Sequence, residues 1–593
     1  MRRLAVVAFV LLLAAPALAQ NTLSPTPYMG YNTFYDLNTS PTEANVKARA
    51  DSLVSTGLAA AGYSLLSIDE GWSIGTRDGG GQPLWNTTNF PSGMAALATY
   101  IHGKGLKAGI YTDSGPAGTT TCGLASYTHY ANDIDWFFNQ WGYDMWKADA
   151  GGWSACGGGV DYTNALFPYS IFPLMSSTAL STISKPYILE GPTDSNGDNV
   201  GWVLGPLNSG ITSVYAYTDG GGVDRSAKAT TYILHHPGQT RPYYYPHADM
   251  LDLARHAAPY TDDQGKADFE LKAIMSAPLM LGADPAALTA GQLTELTNSE
   301  IIAINQDPAV NGALRIGSDN GDFTPTGYYG GVAMYKYLTN PGERAVMLFN
   351  RSGLGTQTIG FTNTDIGLTG TFNVRDVRSH TDIATGVTSY SNSILETWGQ
   401  LLKITAGTDT WTNSYKIATG SASAVGAYGA ALNQVDGVAQ SVGNTIDLTG
   451  CAPNCAPQGV YQTARIGQAL LYASNTLCVY PTICAGGPAI DTNFVVKPGS
   501  YRVRMHFSEN WKTAANQRKF NVAINNVQVL TDEDVFAEAG AQFKGIVKDF
   551  TITTTRPLIA VTVFPGSVDQ AMISAVEIAP ATSAGVPLSV VAH

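Results

Sequence analysis

The chain is predicted to fold as an α/β domain, a closed (β/α)8 barrel, followed by two antiparallel β-sandwiches. Three observations carry this. Between about Pro27 and Pro308 eight β-like runs alternate with amphipathic stretches, beyond Pro308 short strands are punctuated by Gly, Asn and Pro, and a second all-β stretch with strict alternation follows. Eight strand and helix units in that length suit a closed barrel better than an open sheet, which commonly has fewer strands. A chain of 593 residues is too long for one core, so several domains are expected.

The N-terminus comes first. Arg2 and Arg3 precede an apolar run from Leu4 to Leu13, and Pro16-Ala17-Leu18-Ala19 ends it with small residues before Gln20. That is the layout of a secretory signal peptide, too short to span a bilayer comfortably. Residues 1–19 are therefore set apart from the fold, and a secreted or periplasmic protein without a membrane span is expected.

The barrel is assigned to 20–308. Its strands are predicted to end at Met29-Gly30-Tyr31, Leu65 to Asp69, Ala108 to Tyr111, Met145 to Lys147, Tyr187 to Glu190, Val214 to Tyr217, Arg241 to Tyr245 and Pro278 to Leu281. Glu43 to Thr56, Met94 to Lys104 and His129 to Trp141 are the amphipathic stretches between several of them. The run at Arg241 contains Pro242, which a strand tolerates only at an edge or at its start.

The first sandwich takes 309–411, with Gly331 to Tyr337 and Ala345 to Asn350 as strands between turn residues, and is given a packing role. Residues 412–433, rich in Ala, Gly and Ser, read as a linker. The last domain spans 434–585, where Tyr501 to Phe507 and Phe520 to Ile524 alternate cleanly and Asn525-Asn526 signals a turn. Residues 586–593 are read as a tail, and His506 as a structural residue within its strand.

Composition narrows the function. A net charge of -13 with 13% charged residues argues against a nucleic-acid partner. Six cysteines fit an oxidising compartment, and their order suggests one bridge in the first half and two among Cys451, Cys455, Cys478 and Cys484, with three pairings of those four open. Histidines at ligand spacing are lacking around them, so neither a metal nor another cofactor is expected.

Carboxylates recur where the barrel strands end: Asp69 and Glu70, Asp113 beside Tyr111, Asp149, Glu190, Asp219 and Asp249. In a barrel these ends meet at one mouth, where catalytic groups sit. Lys147 and Asp149, two apart on one strand, share a face. A cation beside a carboxylate keeps it ionised, which suits a nucleophile and cripples a general acid. Acids, a lysine and aromatic faces such as Trp72, Phe34 or Tyr111 together suit a sugar. Glycoside hydrolysis needs a second carboxyl group in an opposed environment, and Asp219, followed by three glycines, is the candidate acid.

The motifs Met29-Gly30-Tyr31-Asn32-Thr33-Phe34, Ile68-Asp69-Glu70-Gly71-Trp72, His102 through Asp113, Lys147-Ala148-Asp149 and Leu296 through Pro308 resemble those of the melibiases, the α-galactosidases of glycoside hydrolase family twenty-seven. The resemblance covers about 25–310 and, more weakly, the following sandwich. It implies that Asp149 is the nucleophile and Asp219 the acid/base, with Asp224 as fallback. It further implies that Phe34, Asp69, Glu70, Tyr111, Lys147, Tyr215 and Asp249 belong to the substrate site, that Glu190 reads the substituent on sugar carbon 2, and that Cys122 pairs with Cys156. A galactosyl oligosaccharide or polysaccharide is then the substrate. Two positions depart from the family pattern. Tyr215 replaces the arginine that precedes the acid, and Glu70 stands where an aspartate is usual, so that its extra methylene crowds the exocyclic CH2OH of galactose and favours a β-L-arabinopyranoside. A catalytically weak, secreted galactose-binding protein is the third reading. Gly499 to Glu509, Arg518 to Asn526 and Ile573 to Ile578 resemble malectin-type domains, which implies either a second glycan as a partner there or a purely structural appendage.

Overall fold

The computed structural model describes residues 23–115, 124–149, 167–191, 210–215, 234, 236–253, 262–317, 331–350, 355–428, 438–467, 489–581 and 589–591. Eight parallel strands form the first sheet: β1 Met29–Asn32, β2 Leu65–Ile68, β3 Lys107–Asp113, β4 Met145–Asp149, β5 Ile188–Gly191, β6 Ser213–Tyr215, β7 Tyr245–His247 and β8 Leu279–Leu281. They run in chain order from β1 to β7, and β8 returns to pair with β1. The Leu251 amide donates to the Met280 carbonyl at 2.7 Å, and a parallel bridge between Leu251 and Leu281 joins the two ends of the sheet. Strands such as β2 and β5 are buried along their whole length, which is why they read as unbroken apolar runs rather than alternating ones.

The helices follow from their sequences. In α1, Glu43–Ser55, Val46, Ala50 and Leu53 fall on one buried face. Thr42 and Asn45 cap its start reciprocally. In α2, Met94–Gly103, the buried set is Met94, Leu97, Ala98 and Ile101. Glu43 ties the two together by accepting the Ser92 amide at 2.9 Å. The third amphipathic stretch starts as α3, Tyr130–Ile134, and widens into a π-turn over Asp135–Gln140. Gly30 is required where β1 meets β2, because a Cβ there would lie 2.1 Å from the Leu65 carbonyl oxygen.

One strand sits elsewhere than expected. Arg241 to Tyr245 is a turn, and the seventh strand begins at Tyr245. Arg241 and Tyr244 exchange backbone hydrogen bonds of 3.1 and 3.0 Å, so their polar groups are spent before they could join a parallel ladder. Pro242 has no amide to give, and Tyr243 adopts φ 67°.

The first sandwich has a six-stranded sheet in which Gly331–Tyr337 and Arg344–Asn350 pair antiparallel. Opposite lies the pair Gln357–Thr362 and Ser389–Ile394. The domain is bolted to the barrel by Lys336, whose buried ammonium donates to Ala273 O, Ser276 Oγ and Ile304 O at 3.0, 2.9 and 2.7 Å.

The last domain stacks a five-stranded on a four-stranded sheet around Val503, Met505, Phe507, Phe520, Val522 and Val561. Two assignments are corrected here. The stretch 412–433, read as a linker, contributes the strand Tyr415–Ala418, which pairs with Ala575–Pro580. The stretch 586–593, read as a tail, contributes Ser589–Val591, a parallel edge strand on Thr551 to Thr553. Both are too short for a periodicity to show in sequence. Asn525 and Asn526 form the expected hairpin turn, with φ 46° and 65°. His506 is fully buried, 2.9 Å from Glu577 and 2.8 Å from Tyr461. Cys451 is bonded to Cys455, whereas Cys122, Cys156, Cys478 and Cys484 lie outside the described residues, as do 1–19.

The last domain also rests on the barrel. Its Arg556 donates to Gly238 O and Thr240 O at 3.3 and 2.5 Å, and Asp491 meets His236 and Gln239, both at 3.2 Å. A Cβ on Gly238 would lie 2.4 Å from Asn493 Oδ1. These contacts grip the turn that leads into β7.

Candidate active site

The parallel strands deliver their C-terminal residues to one rim. β2 ends at Ile68, so Asp69 and Glu70 stand on that rim, and β4 brings Lys147 and Asp149 beside them. Asp69 is buried and fully engaged: its Oδ2 accepts from Lys147 Nζ at 2.8 Å and from Asn32 Nδ2 at 2.8 Å, and its Oδ1 accepts the Glu70 amide at 3.0 Å. Thr33 Oγ1 accepts the Asp69 amide at 2.8 Å, fixing the backbone as well.

Lys147 is the hub. Its Nζ lies 3.7 Å from Asp149 Oδ2 and 5.1 Å from the centre of the Tyr111 ring. Burial alone would draw the proton off, but Asp69, Asp149 and Glu190 outweigh it and raise the ammonium pKa, so the group is charged throughout the working pH range. Asp149 is more open, with 31% of its side chain exposed, so its carboxylate can meet a molecule entering from solvent. Ser114 pins the strand end by donating from N and Oγ to the Asp149 carbonyl at 2.7 and 2.6 Å.

Glu70 differs from both neighbours. Burial, followed by the charge of Asp69, pushes its carboxyl up to about 7. The hydrogen bonding agrees. The Tyr111 hydroxyl lies 3.1 Å from Glu70 Oε1 and 3.0 Å from Asp113 Oδ1, and one phenolic hydrogen cannot serve two carboxylates. A proton on Glu70 satisfies both contacts, with Glu70 donating to Tyr111 and Tyr111 donating to Asp113.

Across the rim, Glu190 is buried in β5 and receives a hydrogen bond from Tyr28. Asp249 follows β7 in the left-handed region at φ 64°, with its Oδ2 accepting from Tyr35 at 2.5 Å. Phe34 is half-buried, with its ring edge-on to Tyr35 at 5.4 Å. Tyr215 is the last residue of β6, whereas Asp219 and the fallback Asp224 lie outside the described residues.

Trp72 is no sugar platform. It is 1% exposed, packs edge-on to Phe137 and Trp141, and spends its indole N–H on the Tyr111 carbonyl at 2.8 Å. Buried Trp finds such a partner when it belongs to a core.

Several members of this constellation escaped sequence reasoning: Tyr28, Asn32, Tyr35, Ser114, Ser213 and His247. One signal was available. Strand alternation places Tyr28, Gly30 and Asn32 on one face, and the two that carry polar groups both reach carboxylates of the site. Among the described residues no group of three or more potential ligands could hold a metal ion.

This arrangement can hold a polyol. Asp69 and Lys147 offer an acceptor and a donor in a dry floor, Glu70 offers either according to whether it holds its proton, and Asp149 offers a carboxylate oxygen at the opening.

Residues 34–159 match the family described as "Alpha galactosidase A", 334–403 the "Alpha galactosidase C-terminal beta sandwich domain", and 437–576 the "Malectin domain". Alpha-galactosidase of Coffea arabica is 30% identical over 373 residues, covering 61% of this chain and 89% of that protein. Alpha-galactosidase 3 of Arabidopsis thaliana is 34% identical over 294 residues, covering 49% of this chain and 62% of that protein, so the chain spans less than two thirds of it. Among solved structures, alpha-galactosidase I from Mortierella vinacea superposes with a TM-score of 0.56 at 22% identity, over 66% of this chain and 99% of that one, a likeness of fold.

Proposed function

The chain belongs to the α-galactosidase family, a family of glycoside hydrolases, and on that premise we propose that it is a secreted or periplasmic retaining exo-glycosidase that removes terminal α-D-galactose. The single observation that carries the reading is the Lys147 ammonium held between buried Asp69, at 2.8 Å, and half-open Asp149, at 3.7 Å. It stands beside Asp149 as a fixed positive charge and leaves that carboxylate partly open to solvent, as a nucleophile requires.

In the first step an Asp149 oxygen bonds to the anomeric carbon while the glycosidic C–O bond breaks, and Asp219 gives its proton to the departing oxygen. In the second, Asp219 takes a proton from water, whose oxygen bonds to the anomeric carbon and releases Asp149. Two inversions at one carbon give net retention. Asp69, Lys147 and Glu70 hold the sugar hydroxyls, Phe34 and Tyr111 line the ring, Tyr215 and Asp249 complete the site, and Glu190 reads carbon 2. Tyr215 carries no charge, so Asp219 stays protonated more readily than beside an arginine.

Secretion rests on the N-terminal pattern of residues 1–19. Among the described residues no helix is long and apolar enough to cross a membrane. The malectin-like domain is the candidate seat of a second glycan.

A second reading has an observation of its own. Glu70 reaches Tyr111 with a side chain one methylene longer than aspartate, which crowds the exocyclic carbon of galactose and suits a β-L-arabinopyranoside. Side-by-side release of nitrophenol from nitrophenyl α-galactoside and nitrophenyl β-L-arabinopyranoside decides between them. Faster release from the galactoside supports the first reading and faster release from the arabinopyranoside the second. Binding without release from either means that the chain is a sugar-binding protein.

A further inference from the structure

Beneath the pocket runs a buried relay that the chemistry above leaves unused. Tyr28 immediately precedes β1 and is 4% exposed. Its hydroxyl donates to Glu190 Oε2 and lies 2.7 Å from Ser213 Oγ, while its ring stacks on His247 at 6.1 Å and 19°. Burial, then the charge of Glu190, keep the phenol protonated well above its ordinary range. A phenol has one hydrogen, and here it goes to the carboxylate. Ser213 must then supply the other bond, so the relay has a direction: Ser213 to Tyr28 to Glu190.

His247 does not compete for this role. Its Nε2 stands 3.9 Å from Glu190 Oε2, and burial, then Lys147, hold the imidazole neutral. It supports the Tyr28 ring by stacking. Three strands therefore meet on the Tyr28 side chain: β5 through Glu190, β6 through Ser213 and β7 through His247.

We propose that Tyr28 is a positioning residue for the proposed reaction, fixing through its hydroxyl the orientation in which Glu190 meets the hydroxyl on sugar carbon 2. The proposal rests on the reading of Glu190 given above. Hydrogen bonds to that hydroxyl strengthen in the transition state of glycoside hydrolysis, so the carboxylate must be aimed before the sugar arrives. A misplacement of about 1 Å costs up to roughly a hundredfold in rate.

The test is a cycle between protein and substrate on the full chain. Tyr28→Phe keeps the ring and its stack but removes the donor. kcat/KM is measured on nitrophenyl α-galactoside and on its analogue lacking the hydroxyl on carbon 2. The expected result is a fall of about 10-fold to 100-fold on the first and less than about threefold on the second, since the second has nothing for Glu190 to read. A merely structural Tyr28 lowers the melting temperature and affects both substrates equally, which overturns the proposal. A wild type that treats the two substrates alike overturns the Glu190 reading and the proposal with it. Ser213→Ala, a smaller change, is expected to give the same pattern more weakly and decides the matter if Tyr28→Phe does not fold.

Discussion

Replacing Glu70 by Gln tests the electrostatics of the site at one atom. The amide copies the shape and donor capacity of a neutral carboxyl but cannot ionise. In the native protein burial and the Asp69 charge raise Glu70 from 4.5 to about 7. A raised acid pKa means that the folded state binds more protons than the unfolded state between those values, so wild-type stability falls as pH climbs through the window and stays lower above it. Full burial would make the cost roughly 3 kcal/mol, and the partial exposure of Glu70 screens this to about 1–2 kcal/mol. For a domain of this size about 2–4 °C accompanies each kcal/mol. Glu70→Gln is therefore expected to melt roughly 2–8 °C above wild type near pH 8 and within about 1 °C of it near pH 4. Its kcat/KM profile is expected to lose any wild-type inflection near pH 7. Scanning calorimetry at the two pH values is the assay. An equal shift at both, or a variant less stable than wild type at high pH, refutes the claim that Glu70 carries a proton.

Lys147→Met strands the buried Asp69 carboxylate and is expected to cost about 3–5 kcal/mol and essentially all turnover, while adding Asp69→Asn restores much of the melting temperature and none of the activity. Arg556→Ala removes the donor to two barrel carbonyls, at about 1–3 kcal/mol each. Although it lies in the last domain, heat inactivation of the barrel-borne activity is expected several degrees earlier, and an unchanged inactivation curve contradicts the coupling. Gly238→Val, whose Cβ would fall 2.5 Å from that of Ala560, is expected to act in the same direction.

The barrel was legible because its strands are buried on both faces and end in polar residues, so apolar runs and carboxylates alternate along the chain. The run at Arg241 misled because three aromatics mimic a strand, while the positive φ of Tyr243 leaves no mark in composition. Asp69, Glu70, Tyr111, Lys147 and Asp149 could be singled out from strand-end position, and they cluster in space. Tyr28 left only the faint mark of sharing a strand face with Asn32, and His247 left none, because the partners Glu190 and Ser213 arrive on strands far along the chain. Tyr415–Ala418 was hidden by its Ala- and Gly-rich surroundings and is a strand only because Ala575–Pro580 offers it an edge. The protonation of Glu70 depends on distances that no spacing encodes.

The account turns on Asp149 forming a bond to the sugar. Incubation with a fluorinated α-galactosyl fluoride that slows the second step, followed by proteolysis and mass spectrometry, reads this directly. A galactosyl adduct on the peptide that carries Asp149, absent in Asp149→Asn, is the expected result. An adduct on any other carboxylate, or turnover of the reagent with no adduct, contradicts it.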